Sequence, residues 1–271
     1  MCHSCVTEAV KRSMLSRRQL FTGAAAIGAA SAASGILGAR AALAQSSGRV
    51  VDLTHAFDEK FPTFDGKPGI AEEWAVKIEE SGYQLWKLTI MEHSGTHIDA
   101  PLHFSADGAS VDQLPVEQLM APLCVVDITA KAKEDANAVV EPADIDAWVS
   151  ANKDIPQGAC VAMHSGWAAK VGSPEFRNTP DGAFAFPGFS KAATGMLAEM
   201  GVACIGVDTL SLDPGNSQDF AVHNSWLPGG RFGIENLAGL DQLPPAGATI
   251  FIGAPKIKDG TGGLARVVAV L

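Results

Sequence analysis

Three histidines and an aspartate fall within eleven residues, in the run His93-Ser94-Gly95-Thr96-His97-Ile98-Asp99-Ala100-Pro101-Leu102-His103, in a chain with seven histidines in all. Imidazole and carboxylate together suit a zinc, manganese or iron ion. A helix would align His93 with His97 and Asp99 with His103, but Gly95 and Pro101 oppose a continuous helix. An extended segment puts all four on one face, yet its steps cover about 33 Å, too far for one metal site. The run must therefore bend, with Gly95 and Pro101 as the expected places. His97 and Asp99, two apart, can share a face locally.

The surrounding elements have to bring other parts of the chain to this run. Residues 50–53 and 84–91 read as strands, the second leading straight into the histidines, with a Pro/Gly loop over 61–69 between them. Apolar runs at 123–128, 159–163, 202–207, 249–252 and 264–270 read as further strands. Helices are expected over 143–151, opened by Glu141-Pro142, and over 191–200, closed by Gly201. Strands and helices interleave without repeats, so the class is α/β, with too few helices for a regular doubly wound sheet. Cys124, Cys160 and Cys204 each sit in an apolar run and read as buried thiols.

The string HxGTHxDxPxH resembles the defining motif of the cyclase family, which includes bacterial kynurenine formamidase and isatin hydrolase. Val51-Asp52-Leu53-Thr54-His55 is similar to the family's opening strand, and residues 206–213, GVDTLSLD, to its central segment. His223 and Glu235, twelve apart, match the spacing of its distal ligands, with Glu235-Asn236-Leu237 as the usual ending. Between them Leu227-Pro228-Gly229-Gly230 is a turn that can return Glu235 toward His223. The resemblance implies a mixed-sheet swivelling β/β/α domain, commonly oligomeric, with a dimer expected. It implies that His93, His97 and Asp99 bind one metal ion, and that Asp99 and Glu235 bridge to a second completed by His223. The pair of ions would be zinc or manganese. His103 would stay off the metal as general acid/base.

That set implies hydrolysis of an aryl formamide, cyclic amide or lactone by metal-bound hydroxide, with arylformamidase the nearest named activity. Isatin-type lactam or lactone cleavage is the enzymatic alternative, and a non-catalytic, metal-dependent binding protein for small acids the other. Where the family's formamidases carry Pro-x-Trp-Pro-Gly-Asp, this chain has Pro62-Thr63-Phe64-Asp65-Gly66. Phe64 is expected to stack on a substrate ring in place of the tryptophan. His55 and His164 are expected to be structural or supporting, Trp167 to pack, and Ser211 to satisfy backbone groups.

The N-terminus reads differently from the rest. Ser16-Arg17-Arg18-Gln19-Leu20-Phe21, an uncharged Ala/Gly stretch and Ala42-Leu43-Ala44 together describe a cleaved twin-arginine export signal. Residues 1–44 are thus expected to engage the twin-arginine translocase and to leave a single periplasmic domain over 45–271. Cys2-His3-Ser4-Cys5 would depart with the leader. The chain carries 20 Lys+Arg against 30 Asp+Glu, net −10. That balance disfavours nucleic acid and anionic lipid and leaves a small-molecule substrate as the expected partner. No apolar run after the leader is long enough to span a bilayer.

Overall fold

In β5 (Met120–Asp127) side chains alternate between two cores: Leu123 and Val125 enter one, Cys124 and Val126 the other. A strand buried on both faces needs cover on both, and the computed structural model, which describes residues 48–271, supplies it. The strands, in chain order, are β1 (Val50–Asp52), β2 (Ile70–Val76), β3 (Leu85–Ile90), β4 (His97–Asp99), β5, β6 (Val139–Val140), β7 (Cys160–His164), β8 (Gly188–Phe189), β9 (Cys204–Val207), β10 (Phe232–Glu235), β11 (Ala248–Gly253), β12 (Gly262–Leu264) and β13 (Arg266–Val270). The α-helices are α1 (Ile78–Ser81), α2 (Thr129–Glu134), α3 (Pro142–Asn152), α4 (Lys191–Glu199) and α5 (Ala221–Trp226).

Nine strands form one mixed sheet in the order β1-β13-β11-β5-β7-β9-β10-β4-β12. β5, β7, β9 and β10 run parallel, and the flanking strands pair antiparallel. Helices α3, α4 and α5 cover one face through Ile145, Trp148, Ala193, Leu197, Val222 and Trp226. The other face closes on itself: Val51 and Val267, from one end of the sheet, share a core with Ile98 and Ile234 from the other. The expected mixed α/β class is therefore borne out, as a curled sheet.

Residues 264–270, read as one strand, are divided. β12 pairs with β4 and β13 with β11 and β1, so consecutive segments serve opposite ends of the sheet. Ala265 N–H bonds to Thr96 O at the crossing. The strands over 70–76 and 232–235 and helix α5 were not foreseen. Each is short or mixes polar with apolar residues, which blurs periodicity.

Two compact units can be distinguished, one holding residues 72–88 and the other 49–71 and 89–271. In the first, β2 pairs with β3, Trp74 stacks on Trp86 at 3.8 Å, and Lys87 pairs with Glu73 at 3.1 Å. Cys124, Cys160 and Cys204 are buried free thiols, as expected. The export segment over 1–44, with Arg17, Arg18, Cys2 and Cys5, lies outside the described residues. Among the described residues no helix is long and apolar enough to cross a membrane.

Candidate active site

The histidine run bends where steric reasoning placed the bends. Gly95 takes φ +63°, a conformation that disfavours a side chain. The chain then extends through β4 and turns into a 3-10 segment at Pro101–His103. Alternation in β4 sends Ile98 into the core and leaves His97 and Asp99 on the opposite face. Antiparallel pairing with β10 sets Glu235 directly across from His97. Across β12, Gly262 faces Asp99, and a Cβ there would lie 2.7 Å from His93 Cε1. That bare position is the space the His93 ring occupies.

The distal histidine arrives on α5. The chain leaves α5 through a 3-10 segment at Leu227–Gly229, turns at Gly230 and runs back as β10. His223 and Glu235 consequently meet, Nε2 to Oε1, at 3.3 Å. The centre is a crossed arrangement of two imidazoles and two carboxylates. His97 Nε2 lies 3.3 Å from Asp99 Oδ1 and 3.4 Å from Glu235 Oε2, and His223 Nε2 lies 3.6 Å from Asp99 Oδ2. His93 Nδ1 lies 2.7 Å from Asp99 Oδ1.

These residues fit a divalent cation. His97 Nε2 and Asp99 Oδ2 are buried without a hydrogen-bond partner, an arrangement that is costly for polar atoms unless something else engages them. Donor atoms gather in two sets that share Asp99: His97, Asp99 and Glu235 in one, His93, Asp99 and His103 in the other. Glu235 beside His97 is where a carboxylate bridging the two expected ions would stand, and the second set brings His103 within ligand reach as well.

Electrostatics follow from burying this cluster. Burial opposes charge on His97, but the Asp99 and Glu235 carboxylates outweigh it and raise its pKa to about 9. Burial likewise opposes charge on His223, and Asp213, Asp99 and Glu235 more than offset it, so its pKa is also raised. Asp99 is held well below the usual carboxylate range despite burial, by the imidazoles of His223, His93 and His97. Glu235 moves up, from burial first and the Asp99 charge second. His103 is pushed down to about 4, mainly by burial; Asp99 pulls the other way but is outweighed. Its ring stacks on His93 with centroids 3.7 Å apart.

Above the cluster lies a cavity of about 270 Å³. Its polar side holds His93, His97, His103, His223 and Glu235, and its apolar side Phe64, Phe104, Leu210 and Phe220. Phe64 lines the cavity. It stacks on Phe184 at 4.7 Å, and Arg177 fixes its carbonyl with bonds from Nε (3.1 Å) and Nη2 (2.9 Å). Phe220 has φ +48°, unusual for an aromatic residue, and its ring stands edge-on to His223. Among the described residues no lysine or arginine lines this cavity.

Several contributors were not assigned from sequence. Asp213 accepts from His223 Nδ1 at 2.6 Å, Thr261 Oγ1 meets His93 Nε2 at 2.9 Å, and Phe104 lies 4.7 Å from His223. Asp213 was within reach of reasoning, since it ends the GVDTLSLD segment already singled out. Ser211 lines the cavity and its Oγ accepts from Asp213 N–H, a supporting role. His55 and His164 instead share a separate cavity with Asp208, and Trp167 is buried, donating to Phe176 O.

The chain is similar to several known proteins. Residues 51–214 match the family model described as "Putative cyclase". An isatin hydrolase of Roseibium aggregatum is 30% identical, with 89% of this chain and 98% of the relative aligned. A kynurenine formamidase of Salinibacter ruber is 27% identical over 81% of this chain and 96% of its own. The solved isatin hydrolase A of Ralstonia solanacearum superposes with a TM-score of 0.80 at 33% identity, covering 90% of this chain and 100% of that one.

Proposed function

The chain belongs to the cyclase family, and from that premise we propose that it hydrolyses the C–N bond of a neutral aryl amide, an isatin-type lactam before an aryl formamide. The observation that carries this reading is the cavity itself: a cluster of cation donors faces an aromatic wall, with no lysine or arginine lining it among the described residues. N-formylkynurenine bears a free amino-acid end whose carboxylate would call for such a partner. A neutral bicyclic amide needs only the aromatic wall and the donor cluster.

His93, His97, Asp99, His223 and Glu235 would hold the metal, two ions of zinc or manganese with Asp99 shared between them. When bound, a divalent cation supplies a Lewis acid that polarises a carbonyl oxygen and acidifies water. Phe64, Phe104 and Phe220 orient the aryl ring and exclude bulk water from the donor cluster. His103, with its pKa pushed down to about 4, is neutral at pH 7 and takes at a ring nitrogen the proton released by the water that attacks the amide carbonyl. It returns that proton to the leaving nitrogen.

A substrate panel tests the reading. Metal-loaded protein should open isatin and cleave formanilide faster than it cleaves N-formylkynurenine. Preference for N-formylkynurenine would overturn the choice of a neutral substrate.

Two wider readings accompany it. Residues 1–44 serve as a twin-arginine leader that delivers residues 45–271 to the periplasm; exchanging Arg17 and Arg18 for lysine should trap precursor in the cytoplasm. The protein works as a homodimer, a reading supported by Trp74, Tyr83, Leu85, Trp86 and Leu88, all 39–51% exposed. Sedimentation showing a monomer at micromolar concentration would count against that.

A further inference from the structure

His93 differs from the other candidate ligands in the nitrogen it offers. His97 Nδ1 bonds to Gly95 O at 2.9 Å and His223 Nδ1 to Asp213, so both turn Nε2 toward the donor cluster. His93 is reversed. Its Nδ1 faces Asp99 Oδ1 at 2.7 Å, and its Nε2 faces Thr261 Oγ1 at 2.9 Å. Either nitrogen can carry the proton of a neutral imidazole, so something outside the ring must decide.

Proton counting at Thr261 decides it. A hydroxyl has one proton to give, and Thr261 Oγ1 lies 2.5 Å from Glu92 Oε2, which also accepts the Thr261 main-chain N–H at 3.2 Å. A carboxylate can only accept, so the hydroxyl proton is committed to Glu92. What Thr261 Oγ1 has left for His93 is a lone pair, and Nε2 must supply the N–H. Nδ1 then remains on the Asp99 side, where a proton or a cation can bridge ring and carboxylate.

We propose that Glu92, acting through the Thr261 hydroxyl, is a positioning residue that fixes His93 as its Nε2–H form and presents Nδ1 to the cation. The inference rests on the metal-centre reading above and adds to it two residues outside the recognised motif. Glu92 immediately precedes His93, but Thr261 comes from the far end of the chain, on the segment that leads into β12. The device thus ties the start of the histidine run to the closing edge of the sheet. It also explains why the ring is held upright over Gly262 rather than swung toward solvent.

Zinc-loaded protein labelled with ¹⁵N-histidine provides the test, with two-bond ¹H–¹⁵N correlation spectra and zinc affinity by chelator competition as readouts. His93 should show a protonated Nε2 and a zinc-bound Nδ1. Thr261→Val and Glu92→Ala should lose the Nε2–H signature and weaken zinc binding by about 10–100-fold, the usual scale for partners of metal-bound histidine. Thr261→Ser keeps the hydroxyl and should restore both readouts, which a purely structural role for the methyl group would not predict. Unchanged melting curves would show that the variants fold. Zinc bound through His93 Nε2 in the wild type, or valine and alanine variants with unaltered spectra and affinity, would overturn the relay alone. A wild type that binds no zinc would overturn the metal centre and the relay with it.

Discussion

Asp213 grips the helix that carries His223 at three points: its Oδ2 lies 2.6 Å from His223 Nδ1 and 3.1 Å from the His223 main-chain nitrogen, and its Oδ1 lies 2.8 Å from the main-chain nitrogen of Val222. One carboxylate therefore caps the first turn of α5 and sets the tautomer of the imidazole that α5 delivers. Burial opposes its charge, but the His223 imidazole and these N–H groups prevail and keep its pKa low. Helix α5 has six residues, too short to hold its shape alone, so this contact positions the histidine.

Replacing Asp213 with asparagine removes the charge and keeps the volume. Metal affinity should fall by about 10–100-fold, the range found when an outer carboxylate partner of a ligating histidine is lost. Chelator competition measures it. Affinity equal to that of the wild type would mean that His223 needs no such partner.

Asp99 is the residue common to both donor sets. Asp99→Ala should abolish both cation sites, so that elemental analysis falls from the two ions proposed per chain to background. The variant should still fold at neutral pH, because Ile98 between the two ligands keeps β4 in the core. Loss of one ion with retention of the other would show that Asp99 does not bridge.

The metal-free protein should respond to pH through His97. Its pKa is raised from 6.5 to about 9, with burial opposing the charge and Asp99 and Glu235 prevailing. A folded value above the unfolded one gives stability that is fully present below pH 6.5 and lost as pH rises through about 9. A cation takes the place of that proton, so added stabilisation by zinc should grow across the same window. Melting temperatures with chelator should decline from pH 6.5 to 9 while the increment from zinc increases. A chelated protein that gains stability over that range would contradict the charge assignment.

Phe64→Ala should raise KM for aryl substrates by roughly 2- to 10-fold, the worth of one aromatic contact. Arg177 holds the Phe64 carbonyl and sits over Phe184, so Arg177→Met should produce a milder rise by loosening the same loop. Steady-state kinetics with isatin separates KM from kcat. An effect confined to kcat would place Phe64 in the chemistry instead of in binding.

How much of this was legible in the sequence depended on range. The bends at Gly95 and Pro101 are local steric consequences, and so is the shared face of His97 and Asp99; both can be read from adjacent residues. The meeting of Glu235 with His97 is a matter of strand register between β10 and β4, which no local pattern encodes. Thr261 lies further still from the motif, and its partnership with His93 depends on how the sheet curls. Glu92 was an ordinary acidic residue until the Thr261 donors gave it a direction, whereas Asp213 at least ended a segment already singled out. The role of His103, carried over from a resemblance, is what local pattern says least about, since its donor atom also stands close to those of His93 and Asp99.

His103 poses the sharpest question, because its position allows two roles. Its donor atom lies within 4.8 Å of those of His93 and Asp99, close enough for a shared ion. Its pKa is pushed down to about 4, chiefly by burial, so it is neutral at pH 7 and fit either to ligate or to accept a proton. It stacks on His93 at 3.7 Å and lines the cavity, where a leaving nitrogen can be reached, and we assign it the second role. As a proton carrier it contributes about 10²–10⁴-fold to the rate. His103→Asn should therefore lower kcat by that order, leaving metal content and melting temperature at wild-type values, whereas His97→Asn should lose metal. Should His103→Asn shed metal as readily as His97→Asn, the residue is a ligand, and the proton must travel by another group.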